Sequence, residues 1–119
     1  MEYTTRQIGE QKYIDCAEIS QIGNEQAALD LVGICVEENT ERVLLHSGNL
    51  PGDFFRLSSG LAGNILLKFY NYSIRVAAVL TPEQVNQGKF YEFALETNRG
   101  NQFRIFYNLK EAEEWLIHE

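Results

Sequence analysis

The sequence predicts a single α/β domain over residues 1–119, with about five strands and four helices in the order ββαβαβαβα around a mixed, mostly parallel sheet. Three observations carry this. From residue 24 onward, short strand-like runs alternate with runs of helical period. Residues 74–80 are nearly all apolar, as a central parallel strand covered on both faces would be. No linker, internal repeat or low-complexity tract divides the chain, and 119 residues suit one core.

The elements run in order along the chain. Residues 2–8 and 12–19 carry β-branched and aromatic residues on either side of Gly9-Glu10-Gln11, which predicts an opening hairpin with Tyr3 and Tyr13 on half-buried strands. Asn24 is placed to cap a helix, with Glu25 near the positive end of its dipole and Ala28, Leu31, Val32 and Cys35 on one face. Asn39-Thr40 ends it. Residues 42–46 read as a short buried strand before the turn Ser47-Gly48-Asn49. The second helix carries Leu61, Ala62, Ile65, Leu66 and Phe69 on one face, and Gly60 and Gly63 near its start suggest close backbone packing. Thr81-Pro82-Glu83-Gln84 has the cap, the N1 proline and the glutamine of a helix start, and Gly88 interrupts that helix. The firmer helical part has Phe90, Phe93 and Ala94 inward, with Gly100 at its end. Residues 102–106 alternate like an edge strand, open to pairing across a homodimer. Asn108 and Glu111 then start a last helix striped by Ala112, Trp115 and Leu116.

Composition narrows the function. With 45% hydrophobic and 23% charged residues the chain is globular rather than disordered. A net charge of −7 with ten scattered basic residues argues against nucleic acid and anionic membranes, which need clustered cations. No signal peptide or membrane span is visible, so the expected compartment is the cytoplasm. Cys16 and Cys35 lack metal-ligand spacing and read as buried, reduced thiols. No metal or cofactor is implied.

The candidate residues cluster in the stretch 46–61. Ser58 and Ser59 precede a helix, where one would cap it or a phosphate would find free backbone N–H groups. Neither has a visible base: His46 and His118 sit in no nucleophile motif, so the chain reads as a non-enzyme. His46 closes a strand at the end of the sheet where α/β ligands bind, either as a contact or as a hydrogen-bonded structural group. Asn49 and Asp53 fit loop folding through backbone bonds. Phe54-Phe55 leaves two readings open: one ring exposed as a partner contact, or both buried. Lys68 and Arg75 are each in reach of an anion, with solvated positions the simpler reading, and Glu37-Glu38 and Glu113-Glu114 read as solvated helix faces.

The element order and the segment Leu57-Ser58-Ser59-Gly60-Leu61 resemble the STAS fold of bacterial anti-sigma-factor antagonists, whose signature there is Asp-Ser-Ser/Thr-Gly-Leu-Gly. In that family the first serine is phosphorylated by a partner kinase and the phosphate abolishes binding. Ser58 matches the phosphoacceptor, Ser59 the second hydroxyl, and Gly60 and Leu61 the next pair, while Leu57 and Ala62 depart from the Asp and Gly. Over nearly its whole length the chain also resembles a bacterial domain-of-unknown-function family thought to be STAS-like. The matching residues include His46, Asn49-Leu50, Asp53-Phe54-Phe55, the Ser-Gly-x-Ala-Gly run at 59–63, Lys68-Phe69, Asn71-Tyr72, Glu96, Asn98 and Gly100. In that family the position of Ser58 is often basic. The resulting expectation is a regulatory or protein-interaction module using His46, Asn49, Asp53, Phe54, Phe55, Ser59 and Gly60, with Ser58 as a phosphoacceptor. The alternative is a small-molecule or anion-binding domain at the same helix N-terminus.

Overall fold

Residues 2–19 and 21–118 are described by the computed structural model of the chain. β1 (Thr4–Ile8) and β2 (Gln11–Asp15) pair antiparallel, with Arg6 opposite Tyr13. The turn between them is Gly9-Glu10, and Gly9 has φ +60°, the left-handed value that a type II′ hairpin requires at its first position. β2 stops short of the expected residue 19, because the Asp15 side chain accepts from Ala17 N–H and turns the chain out of the sheet.

α1 (Glu25–Glu37) begins at the expected cap, with Asn24 Oδ1 accepting from Ala27 N–H at 2.9 Å. β3 (Arg42–His46) comes next, and three 3-10 turns at Ser47–Asn49, Gly52–Phe55 and Leu57–Ser59 lead into α2 (Leu61–Asn71). After β4 (Arg75–Val79), Thr81 and Gln84 form the reciprocal capping bonds with Pro82 at N1. The helix they start, α3 (Pro82–Val85), lasts one turn. Gly88, at φ +50°, separates it from α4 (Lys89–Thr97), so the described chain has five helices where the sequence predicts four. β5 (Phe103–Phe106) and α5 (Leu109–Ile117) complete it, α5 being capped by Asn108 on Glu111 N–H.

The five strands lie in chain order, β1-β2-β3-β4-β5, and all neighbours after the hairpin are parallel. Alternation along the strands sends Ile14, Val43, Leu45, Val76, Ala78, Phe103 and Ile105 to a core shared with α1, α2 and α4. Tyr13, Leu44 and Ala77 face the other way, onto Ala112 and Leu116 of α5. β4 lies inside the sheet, one strand from the edge rather than at its centre, and is covered on both faces, which is why its residues after Arg75 are all apolar. β5 is an edge strand, but not an open one. β4 uses Gln102 and Phe106 carbonyls on the inner side. On the outer side Thr97 Oγ1 donates to Phe103 O, while the Asn98 side chain donates to Ile105 O and accepts from Ile105 N–H. The end of α4 thus occupies Phe103 O and both backbone groups of Ile105, which a second copy pairing along this edge would need.

Candidate functional site

The carboxyl ends of β2 and β3 bring Asp15 and His46 together, and Arg6 reaches in from β1. Asp15 is 3% exposed and sits between Arg6, whose Nε donates at 2.8 Å, and His46, whose Nε2 donates to the other carboxylate oxygen at 2.7 Å. An ionised carboxylate only accepts, so His46 carries its proton on Nε2. Burial pushes the Asp15 carboxyl upward, yet the bonds from Arg6, His46 and Ala17 N–H outweigh it and hold the group below its ordinary value. His46 is therefore fixed in orientation while remaining part-exposed. It borders an open hollow of about 400 Å³ with Ala17, Glu18, Ile19, Gly48 and Asn49.

Asn49 is structural. It is buried, with Nδ2 donating to Cys16 O and Ile19 O and Oδ1 accepting from His46 N–H, so it ties the turn after β3 to the segment after β2. Phe54 and Phe55 are buried too, at 0% and 4% exposure. Their rings pack edge-on at 5.5 Å and close on Phe90 at 6.0 and 5.0 Å. The reading that puts one ring on the surface is corrected: the 3-10 turn Gly52–Phe55 folds both inward beneath α4, where they fill the core over β5.

The far end of the loop stays at the surface. Asp53 is exposed and pairs with Arg56. Ser59 Oγ donates to Asp53 O at 2.6 Å and accepts from Leu61 N–H at 3.2 Å, so Ser59 both closes the loop and takes the first amide of α2. Gly60 has φ +78°, a conformation that L side chains rarely adopt. Ser58 is exposed and makes no hydrogen bond among the described residues. It lines an open hollow of about 560 Å³ between this loop and the Gln87–Gly88–Lys89 corner, with Arg56 on its wall.

A second surface feature lies lower on α2. An apolar groove of about 280 Å³ runs between α2 and α4, lined by Gly63, Leu66, Leu67 and Tyr70 on one side and Phe93 and Thr97 on the other. Leu67 and Tyr70 are 51% and 57% exposed. The two helices are too far apart to cover each other's flanks, and the floor is Val76 and Phe103 of the sheet.

The match to known proteins comes from a family model. The family described as Domain of unknown function (DUF4180) matches residues 8–116. The chain belongs to this family. No curated protein and no solved structure matches it. In this DUF4180 member no group of three or more metal-ligating side chains forms among the described residues, and no helix there is long and apolar enough to cross a membrane. Cys16 and Cys35 are free and buried, and burial alone lifts the Cys35 thiol to about 12.

Sequence reasoning expects His46, Asn49, Asp53, Ser58, Ser59 and Gly60 in one site; the structure puts His46 and Asn49 at one hollow and Asp53 and Ser58 at another, and the sequence misses what holds His46. Asp15 hides in Tyr13-Ile14-Asp15-Cys16 as an ordinary strand end, and its one signal is an acid inside an otherwise apolar run. The groove also escapes it. Leu67 and Tyr70 are the apolar residues of α2 left over once its core stripe is assigned. One surface assignment is corrected, since Glu113 accepts from buried Tyr13 Oη at 2.6 Å; Lys68 stays part-exposed and pairs with Glu25 at 3.4 Å.

Proposed function

We propose that this DUF4180 chain is a non-catalytic, cytoplasmic protein-interaction module with a STAS-like fold, and that its partner lies along α2, from the Ser58-Ser59-Gly60 rim into the apolar groove against α4. One observation carries the reading: Leu67 and Tyr70 stay half-exposed beside a groove whose walls are apolar, in a chain that covers both faces of its sheet. Aromatic and aliphatic groups around such a depression are what a partner's anchoring side chains fill. The burial of Phe54 and Phe55 takes the aromatic pair in the loop out of the proposed contact and supports α2 in its place. The STAS-like assignment is supported by the element order and by the hydroxyl–glycine junction that launches α2 after β3. Ser58, in the 3-10 turn just before the same helix, supplies a regulatory position, where a phosphate would add charge to the partner's path.

The test is affinity capture from native cells with wild type, Leu67→Asp, Ser58→Glu and the surface control Glu83→Lys, each confirmed as folded by circular dichroism. The expected outcome is a discrete partner held by wild type and by Glu83→Lys, lost with Leu67→Asp and weakened with Ser58→Glu. Equal recovery by all four would refute the reading. The second reading, a small-molecule or anion-binding domain at the rim, is favoured by the hollow that Arg56, Ser58 and Lys89 line.

A further inference from the structure

The sequence scatters its basic residues, but the sheet gathers three of them. Arg42 and Arg75 stand directly opposite each other on β3 and β4, and Arg104 on β5 faces Ala77, two positions further along the ladder on the same face. The guanidiniums of Arg75 and Arg104 lie 4.1 and 5.4 Å from the centre of the Trp115 ring. Arg42 Nε donates to Leu116 O and Arg75 Nη1 to His118 O, so the carbonyls ending α5 take up part of the charge. None of the three arginines has a carboxylate partner among the described residues, in a chain of net charge −7. Arg75 Nε and Trp115 Nε1 are buried donors with no acceptor among those residues. Like charges opposed across a ladder cost stability, and capping α5 accounts for Arg42 and one nitrogen of Arg75 without accounting for the rest.

Beside Arg75, at the amino ends of β4 and β5, lies a hollow of about 130 Å³ lined by Tyr70, Ser73, Ile74, Arg75, Asn101 and Gln102. Its lining holds no acid. Asn101 turns Oδ1 to Arg104 Nη2, which leaves its NH2 free to donate. We propose that this hollow binds an oxyanion, a carboxylate or a phosphate group, on Arg75, with Ser73, Asn101 and Gln102 as the neutral donors around it. Tyr70, Ile74 and Gln102 also line the α2–α4 groove, so the two depressions adjoin. For what carries the anion, the proposal rests on the interaction reading above: the groove takes the apolar part of the partner's segment and Arg75 takes its acidic group.

The test is a titration of the 15N-labelled chain with sodium phosphate and, separately, sodium acetate, at ionic strength held constant with sodium chloride. The chain has one tryptophan, so a single indole signal reports on Trp115. The expected result is saturable shifts of the Asn101 and Gln102 side-chain amides, which line the hollow, and of that indole signal through the Arg75 guanidinium stacked on it, with at least one of the two anions. Phosphate alone points to a phosphorylated partner and acetate to a carboxylate. Binding should weaken about tenfold in Arg75→Gln, the loss of a charge-assisted contact. Asn101→Ala, at an exposed position, should weaken it with the fold intact should Arg75→Gln not fold. Linear shifts matching chloride would overturn the proposal. So would saturable binding that appears only in Glu119→Gln, because the chain's own carboxylate would then be the competitor. Free anions need no partner, so failure here leaves the groove reading standing, and failure of affinity capture leaves the hollow standing.

Discussion

Replacing Asp15 with Asn tests the buried cluster that orients His46. The substitution keeps the volume but puts an amide NH2 where two donors, Arg6 Nε at 2.8 Å and His46 Nε2 at 2.7 Å, now find a carboxylate. Breaking a fully buried ion pair costs about 3–5 kcal/mol. Here the Arg6 side chain is 53% exposed and turns to water at little cost, while His46, at 31%, is less free to do so. The expected loss at neutral pH is therefore about 2–3 kcal/mol, mostly from the histidine contact and the turn held by Ala17 N–H. With a urea slope near 1–3 kcal/mol per molar, the unfolding midpoint should fall by about 1–2 M. The pH dependence has a definite sign. The folded Asp15 carboxyl lies below its unfolded value of about 3.9, so its contribution is complete above that value and disappears as pH falls through the folded one. Urea melts of wild type and Asp15→Asn should differ at pH 7 and draw together as pH falls below the ordinary carboxylate value of about 3.9. An equal midpoint at pH 7, or a gap that persists unchanged into acid, would refute the reasoning.

Three further outcomes are expected from the loop and the edge. Phe54→Ala empties the centre of the aromatic cluster and should cost about 3–5 kcal/mol in the same urea assay. Gly60→Ala meets no atom closer than Asn64 Nδ2 at 4.0 Å, so its cost is backbone strain alone, about 1–2 kcal/mol, read as a lowered thermal midpoint. Asn98→Ala frees the N–H and C=O of Ile105, and should both lower stability by about 1–2 kcal/mol and give concentration-dependent association by light scattering where wild type gives less.

Where periodicity and caps decide the outcome, the fold is legible in the sequence. Asn24, Thr81 with Gln84, and Asn108 each sit at a helix start because their side chains answer local amides, which needs no knowledge of the tertiary structure. The apolar run of β4 likewise announces a strand covered on both faces, though the central place in the sheet falls to β3. Gly88 marks the division of residues 82–97 into two helices but not its consequence, since a single glycine is compatible with either a break or a bend. The site is less readable because its bonds are long-range. Asp15 and His46 meet across 31 positions, and Asn49 reaches back 33 to Cys16, distances at which spacing carries no signal. Phe54 and Phe55 are ambiguous for the opposite reason: a 3-10 turn rotates neighbouring side chains by about a third of a turn, close enough for two adjacent rings to share one core. The three arginines converge only because β3, β4 and β5 align in parallel register.

A protein partner lying along α2 is tested most directly by a photo-crosslinking residue at position 67 in native cells, with the same residue at position 83 on α3 as the reference. The predicted result is a discrete protein adduct at 67 that is absent at 83 and is suppressed by Tyr70→Asp. No adduct at 67, or the same adducts at both positions, would contradict it.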